Sequence, residues 1–162
     1  KYGIIYNIMN INELNEVKFT RNDLSEESEK RITEEAIRMT KGIIDGGISR
    51  DSLQGRHRTF EDIQRDCENG LVAEQYLIQE HGYRNNPKMW HDIISPQDIE
   101  VEIKTFRYNY TQTKFEHILK LEYRKTKYPH VIMFMRTEDV YTFDSYFKYN
   151  YETEQYNQVP RT

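Results

Sequence analysis

The chain holds a single cysteine, Cys67, so it can form no internal disulfide and no zinc-cysteine cluster. No apolar run approaches the roughly 20 residues of a membrane span. The first residues, Lys1-Tyr2-Gly3-Ile4-Ile5-Tyr6, have neither the length nor the cleavage site of a signal peptide, and the default placement is cytoplasmic. The sequon Asn109-Tyr110-Thr111 therefore carries little meaning. Internal repeats and low-complexity linkers are absent. So is a large charge excess. A formal net charge of −4 is too modest and too mixed for a protein that imitates DNA with surface acid, and it argues mildly against a general nucleic-acid coat protein.

What is present is enough for one domain: 162 residues, with Ile, Leu, Phe and Tyr recurring in periodic segments although 31 % of residues are charged. The charge is uneven. Between positions 104 and 127, Lys104, Arg107, Lys114, Lys120, Arg124, Lys125 and Lys127 stand against only Glu116 and Glu122. An acidic protein can still turn such a basic face to phosphates.

Two amphipathic helices lead the chain. Asp23 with Glu26 reads as an N-cap and its box partner, and Ile32, Ala36, Met39 and Ile43 follow at helical spacing, which predicts a helix from about Leu24 to Asp45 stopped by Gly46-Gly47. It is a packing helix or a dimer contact. Residues 1–20 show no clear period. Residues 46–58 read as a loop made basic by Arg50, Arg56, His57 and Arg58, either solvated or touching a phosphate backbone. Thr59 with Asp62 caps a second helix, whose stripe runs Phe60, Ile63, Cys67, Leu71, Glu74 and Ile78, with Gly70 as a point where it can split. Glu74 on that apolar stripe needs compensation: an arginine partner, a place at the edge of the core, or a metal. His81-Gly82 ends the helix, and Arg84-Asn85-Asn86-Pro87 reads as a connection.

The stretch Trp90–Phe106 carries the sharpest signal. Ile99, Val101 and Ile103 alternate with Glu100, Glu102 and Lys104, the period of a strand with one apolar face. Met89–Ile94 reads as a second strand, and Ser95-Pro96-Gln97-Asp98 has turn composition. Such a hairpin returns Asp92 toward Glu102. Two carboxylates and a lysine then meet, an oxygen-rich site suited to Mg²⁺ or Mn²⁺ with a cation beside it. Glu100 is read as a solvent-facing or supporting residue. Further on, Phe106–Thr111 mixes aromatic and basic residues. Thr113 with Glu116 opens a helix reaching about Lys125, with Phe115, Ile118, Leu119 and Glu122 on one face, and Pro129 closes it. Val131–Met135 reads as a buried strand, Thr137-Glu138-Asp139 as a turn and Val140–Phe147 as a strand, while the tyrosine-rich stretch 149–162 reads as irregular.

Asp92 followed ten residues later by Glu102-Ile103-Lys104 resembles the D…(D/E)xK signature of the PD-(D/E)xK, or restriction-endonuclease-like, nuclease superfamily. His91 stands where that family has a proline. Over residues 60–147 the order of elements resembles the family's αβββαβ core, a mixed central sheet flanked by helices, here with an extra helix in front. The resemblance implies an α/β fold with residues 1–58 as an arm and helix of the same compact unit, 59–147 as the nuclease core and 148–162 as a tail. It implies a Mg²⁺-dependent endonuclease, with Mn²⁺ as substitute. Asp92, Glu102, the Ile103 carbonyl and Glu74 would serve the metal, and Lys104 the attacking water. Arg107, Lys114, Lys120, Arg124, Arg56 and Arg58 would contact nucleic acid, DNA rather than RNA. Two active sites cutting a duplex favour a homodimer, and a compact nuclease of this kind suits a phage, a mobile element, or a restriction or repair system. The alternative is a non-catalytic nucleic-acid- or partner-binding protein on the same fold.

Overall fold

The computed structural model describes residues 8–46, 59–87, 93–106, 116, 118–120 and 129–160. Helix α1 spans Glu26–Asp45. Its cap is Ser25, whose hydroxyl accepts from the Ser28 N–H at 3.1 Å, and not Asp23. Asp23 is spent one turn earlier: it accepts from the Thr20 N–H at 2.8 Å and closes the 3-10 turn Arg21–Asp23. Glu26, Glu27 and Glu29 fill the first turn of α1, where the positive end of the helix dipole favours them. Helix α2 spans Phe60–His81 behind the expected Thr59–Asp62 capping box. It runs through Gly70 without a break. A glycine costs an exposed helix only about 1 kcal/mol, and a helix packed on its neighbours tolerates that. Gly82 ends α2 in the left-handed conformation, φ 78°.

The mixed sheet has strands β1 (Lys18–Phe19), β2 (Arg84–Asn85), β3 (Ile93–Ile94), β4 (Glu100–Phe106), β5 (Val131–Thr137), β6 (Tyr141–Asn150) and β7 (Gln155–Gln158). Their order is β1-β6-β5-β4-β3-β2, and β7 also pairs with β6. The β3–β4 hairpin forms, with Ile94 opposite Glu100 and Ile93 opposite Val101. Its turn is closed by Asp98 N–H to the Ser95 carbonyl and Ser95 N–H to the Ile99 carbonyl, both at 2.9 Å, and Asp98 takes the left-handed conformation that short polar side chains tolerate. β4 and β5 run parallel, which requires a crossover connection. The helical residues 118–120 belong to it, and Ile118 and Leu119 are buried.

Two expectations need correction. Arg84–Asn85 is a strand and not a plain connection, pairing with β3. The stretch after Phe147 is not irregular. β6 continues to Asn150, where the Asn150 side-chain oxygen accepts from the N–H groups of Glu152 (2.9 Å) and Thr153 (3.3 Å), and the chain turns back as β7. Only Tyr156 of β7 is buried, so no alternation marks the strand in sequence.

The sheet is covered on both faces. On one, α1 and α2 pack Ile32, Ala36, Ile63, Leu71, Val72 and Leu77 against Ile93, Val101, Val131, Met133, Tyr141 and Phe143. On the other, Phe106, Ile132, Phe134, Phe147, Tyr149 and Tyr156 pack with Ile118 and Leu119. A bulge opposite Phe134/Met135 hands β6 from one core to the other. Its odd positions from Tyr141 to Tyr149 are buried without interruption, yet Tyr141 and Phe143 serve the helical face while Phe147 and Tyr149 serve the opposite one.

Candidate functional site

β4 places its side chains alternately on the two cores. Val101 belongs to the core under α2, with Ile99 and Ile103 packed against it. Glu100, Glu102 and Lys104 share the parity of Phe106 and point to the other face. The polar face of this strand is not open to water: the Glu102 side chain is 8 % exposed and the Lys104 side chain 28 %. Lys104 Nζ donates to Glu102 Oε1 at 3.0 Å. A carboxylate this buried is expensive without a partner, and the ammonium two residues on supplies one. Ile132 and Phe134 of β5 stand beside Glu102 and Lys104 in the ladder and are fully buried. The pair thus has an apolar wall on one side, which strengthens its field.

Glu100 opens the strand. Its carboxylate accepts from Asn86 Nδ2 at 3.4 Å, a long bond from a buried amide just past β2. Asn86 was not singled out in sequence; an amide beside a proline reads as a turn residue, and no pattern separates it. After desolvation, the Glu100 charge is the second cause that raises the Tyr151 hydroxyl pKa.

Glu74 is 9 % exposed on α2, as its place on the apolar stripe implied. That helix covers the face opposite the one from which Glu102 and Lys104 project. Strand parity brings Glu102 and Lys104 together and does not by itself bring Glu74 to them. The Ile103 side chain packs toward the helical core. Lys120 is exposed on the helical residues of the crossover. Asp92 lies outside the described residues, as do Arg56, Arg58, Arg107, Lys114 and Arg124. Among the described residues no three His, Cys, Asp or Glu side chains gather as a metal-binding group.

The α1 stripe offered as a dimer contact is used within the chain. Ile32 and Ala36 are fully buried in the core shared with α2. Arg21 fastens the two helices, donating to Glu29 of α1 at 2.9 and 3.0 Å and to Glu68 of α2 at 3.0 Å. No helix among the described residues is long and apolar enough to cross a membrane. No family model, no curated protein and no solved structure matches this chain.

Proposed function

We propose that this chain is a metal-dependent nuclease that hydrolyses phosphodiester bonds, on a restriction-endonuclease-like core. The observation that carries the reading is the Glu102–Lys104 pair: a buried carboxylate and a part-exposed ammonium 3.0 Å apart on the inner strand of a hairpin. The sequence of elements supports it: a helix, three antiparallel-linked strands, a crossover with helical residues, and a strand parallel to the third. In the order read from sequence the three strands are Met89–Ile94, the strand of Ile99 to Lys104 and a strand-like stretch Phe106–Thr111; residues 107–111 lie outside the described residues, and β2, β3 and β4 take the three places in this reading.

The donors suit a hard cation. They are carboxylate oxygens, Glu102 first, then Asp92 with the Ile103 carbonyl, which fits Mg²⁺ or Mn²⁺ rather than a softer metal. When bound, such an ion supplies charge neutralisation at the phosphate and a more acidic water. The chain's own residues do the rest. Glu102 would hold the ion from a position fixed in a seven-residue strand. Lys104 holds the attacking water and offsets charge on the phosphoryl oxygens as it accumulates. The reading requires the β3–β4 ladder to run one step beyond Ile93↔Val101, which would set Asp92 opposite Glu102. Glu74, on the helix across the sheet, has the least direct part in it. Lys120, Arg107, Lys114, Arg124, Arg56 and Arg58 would line the path of the nucleic acid, DNA before RNA, and a homodimer would supply two sites for a duplex.

The test incubates the pure protein with plasmid, linear duplex, single-stranded DNA and RNA, in Mg²⁺, Mn²⁺ or EDTA, beside Lys104→Ala, Glu102→Gln and Glu74→Gln. Metal-dependent cutting that Lys104→Ala and Glu102→Gln lack is expected. Cutting unchanged in Lys104→Ala discards the site. Neither cutting nor Mn²⁺ binding by calorimetry moves the assignment to a non-catalytic binder on the same fold. Sedimentation with and without duplex reads the oligomeric state.

A further inference from the structure

His130 stands one residue before β5, and three tyrosines from the end of the described chain hold it. The Tyr149 N–H donates to the His130 carbonyl at 2.9 Å, which carries the β5–β6 pairing one step past Val131↔Lys148. The Tyr156 hydroxyl donates to the carbonyl of Pro129, the residue before His130, at 2.6 Å. The Tyr151 hydroxyl lies 2.8 Å from His130 Nε2 and 3.0 Å from Nδ1. The rings form a train: His130 meets Tyr151 edge-on with centroids 5.1 Å apart, Tyr151 meets Tyr149 at 5.0 Å, and Tyr149 meets Tyr156 at 5.0 Å. His130 is nonetheless exposed. An imidazole open to solvent but fixed through both its backbone and its ring is held in one direction, as a working group needs to be.

Register sets this group beside the candidate site. The parallel β4–β5 ladder starts at Val101↔Val131, so one step back Glu100 stands next to His130. Tyr149 belongs to the core of Phe106, Ile132 and Phe147, on the face to which Glu100, Glu102 and Lys104 point. The imidazole, joined to Tyr149 through the Tyr151 ring, therefore lies on the Glu102 side of the sheet. From Glu102 it is one strand over, about 4.8 Å, and two residues back, about 6.6 Å. Lys104 lies two residues from Glu102 in the other direction, and its ammonium leans back to Glu102 Oε1 at 3.0 Å. Along the strand the order is thus Lys104, then Glu102, then Glu100 with His130.

In-line displacement at phosphorus puts the attacking and leaving oxygens on opposite sides of the phosphoryl group. With the attacking water at Lys104 and the phosphoryl group at Glu102, the leaving oxygen lies toward His130. An alkoxide leaves poorly, and a proton delivered as the bond breaks lets it depart as an alcohol. We infer that His130 is the general acid that protonates the leaving oxygen of the scissile phosphodiester, with Tyr151 as its positioning residue. This rests on the nuclease reading and completes it. In the step, the water oxygen bonds to phosphorus, the bond from phosphorus to the leaving oxygen breaks, and an imidazole N–H passes its proton to that oxygen. The water sheds a proton to solvent, and the neutral imidazole takes one back, an exchange that histidine makes readily near neutrality. Tyr151 touches no reacting atom; its hydroxyl keeps the ring turned.

The experiment compares an oligonucleotide that the protein cuts in Mg²⁺ with versions carrying sulfur in place of the bridging oxygen, on one or the other side of the phosphorus. A thiolate leaves without a proton. For His130→Ala, kcat on the oxygen substrate should fall about 10²- to 10⁴-fold, the usual share of a general acid. KM should hold, and so should binding read by fluorescence anisotropy in EDTA, because the proton moves only in the transition state. With sulfur at the bond that breaks, the loss should nearly vanish. Tyr151→Phe should lower kcat about two- to tenfold, the equivalent of one hydrogen bond. It should likewise spare the sulfur substrate and add nothing to His130→Ala. An equal loss on oxygen and sulfur, a loss confined to KM or binding, or no loss at all while Lys104→Ala is inactive overturns the inference and leaves the nuclease reading standing. A wild type that cuts no oligonucleotide overturns both. His130 and Tyr151 are exposed, so their replacement leaves the cores intact, and circular dichroism of each variant confirms that the fold is kept.

Discussion

Replacing Tyr83 by phenylalanine should stabilise the protein, and more so at alkaline pH. Tyr83 is 3 % exposed, in the core beneath α2, and its hydroxyl has no hydrogen-bond partner among the described residues. A buried hydroxyl left unpaired costs ~1–3 kcal/mol, whereas the phenyl ring keeps the same apolar contacts. Tyr83→Phe is therefore expected to add about 1 kcal/mol at pH 7, which for a domain of this size raises Tm by about 2–4 °C. The pH dependence follows from the same burial. Desolvation, and after it the charge of Glu13, raises the Tyr83 pKa above the ordinary tyrosine value. The folded state then holds this proton more tightly than the unfolded chain does. The stability so conferred is complete below the unfolded pKa, about 10, and is lost as pH rises through the folded value. In that window the wild type loses up to about 1.4 kcal/mol per pH unit from this group, and the variant loses none. Tyr76 and Tyr146, whose pKa values are also raised by burial, remain in both proteins. Urea unfolding at pH 7 and above pH ~10, at constant m, measures the gap. A variant less stable than wild type at pH 7 would show that the hydroxyl has a partner, a buried water being the simplest. A gap that fails to widen above pH ~10 would refute the desolvation argument.

Arg21→Ala should lower stability by only about 1 kcal/mol despite its two carboxylate partners, because the Arg21 side chain is 38 % exposed and water screens the pair. A double-mutant cycle with Glu68→Gln reads the α1–α2 share of that loss, and a coupling near zero would show the clamp to be ornamental. Gly82→Ala should cost about 1–2 kcal/mol by chemical denaturation, since the new Cβ would sit at φ 78° and 3.3 Å from Ile8 Cγ1. A neutral result would mean that the end of α2 relaxes freely.

Much of this structure is legible in the sequence wherever one face decides the pattern. The stripe Ile32, Ala36, Met39 and the box Thr59–Asp62 mark the two helices, and the Ser95–Asp98 turn marks the hairpin. The cap of α1 is misread because Asp23 and Ser25 both qualify as caps, and only the extended Leu24 between them decides. β1 and β2 have two residues each, too short for any period. The site shows the same limit. Alternation finds Glu102 and Lys104 as neighbours, but it cannot see that a second core covers their face and buries the carboxylate, because that core is assembled from Ile118, Phe134 and Phe147, distant in sequence. Nor can it see that Glu74 rides a helix on the opposite side. The bulge in β6 is invisible for a related reason: odd positions stay apolar on both sides of it.

That bulged strand has a consequence for how the chain comes to be folded. β6 is the partner of β1, β5 and β7 alike, and it closes both cores, yet it is made near the end of the described chain. During synthesis, β4 and β5 must wait on the order of seconds for it at ~5–20 residues per second. Through that delay Phe134 and Met135 have no strand beside them on one edge, and β1 has nothing to pair with. Such an edge is where a half-made molecule adheres to its neighbours. Slower elongation between positions 137 and 150 should therefore lower the soluble yield of this protein without altering the stability of the molecules that do fold.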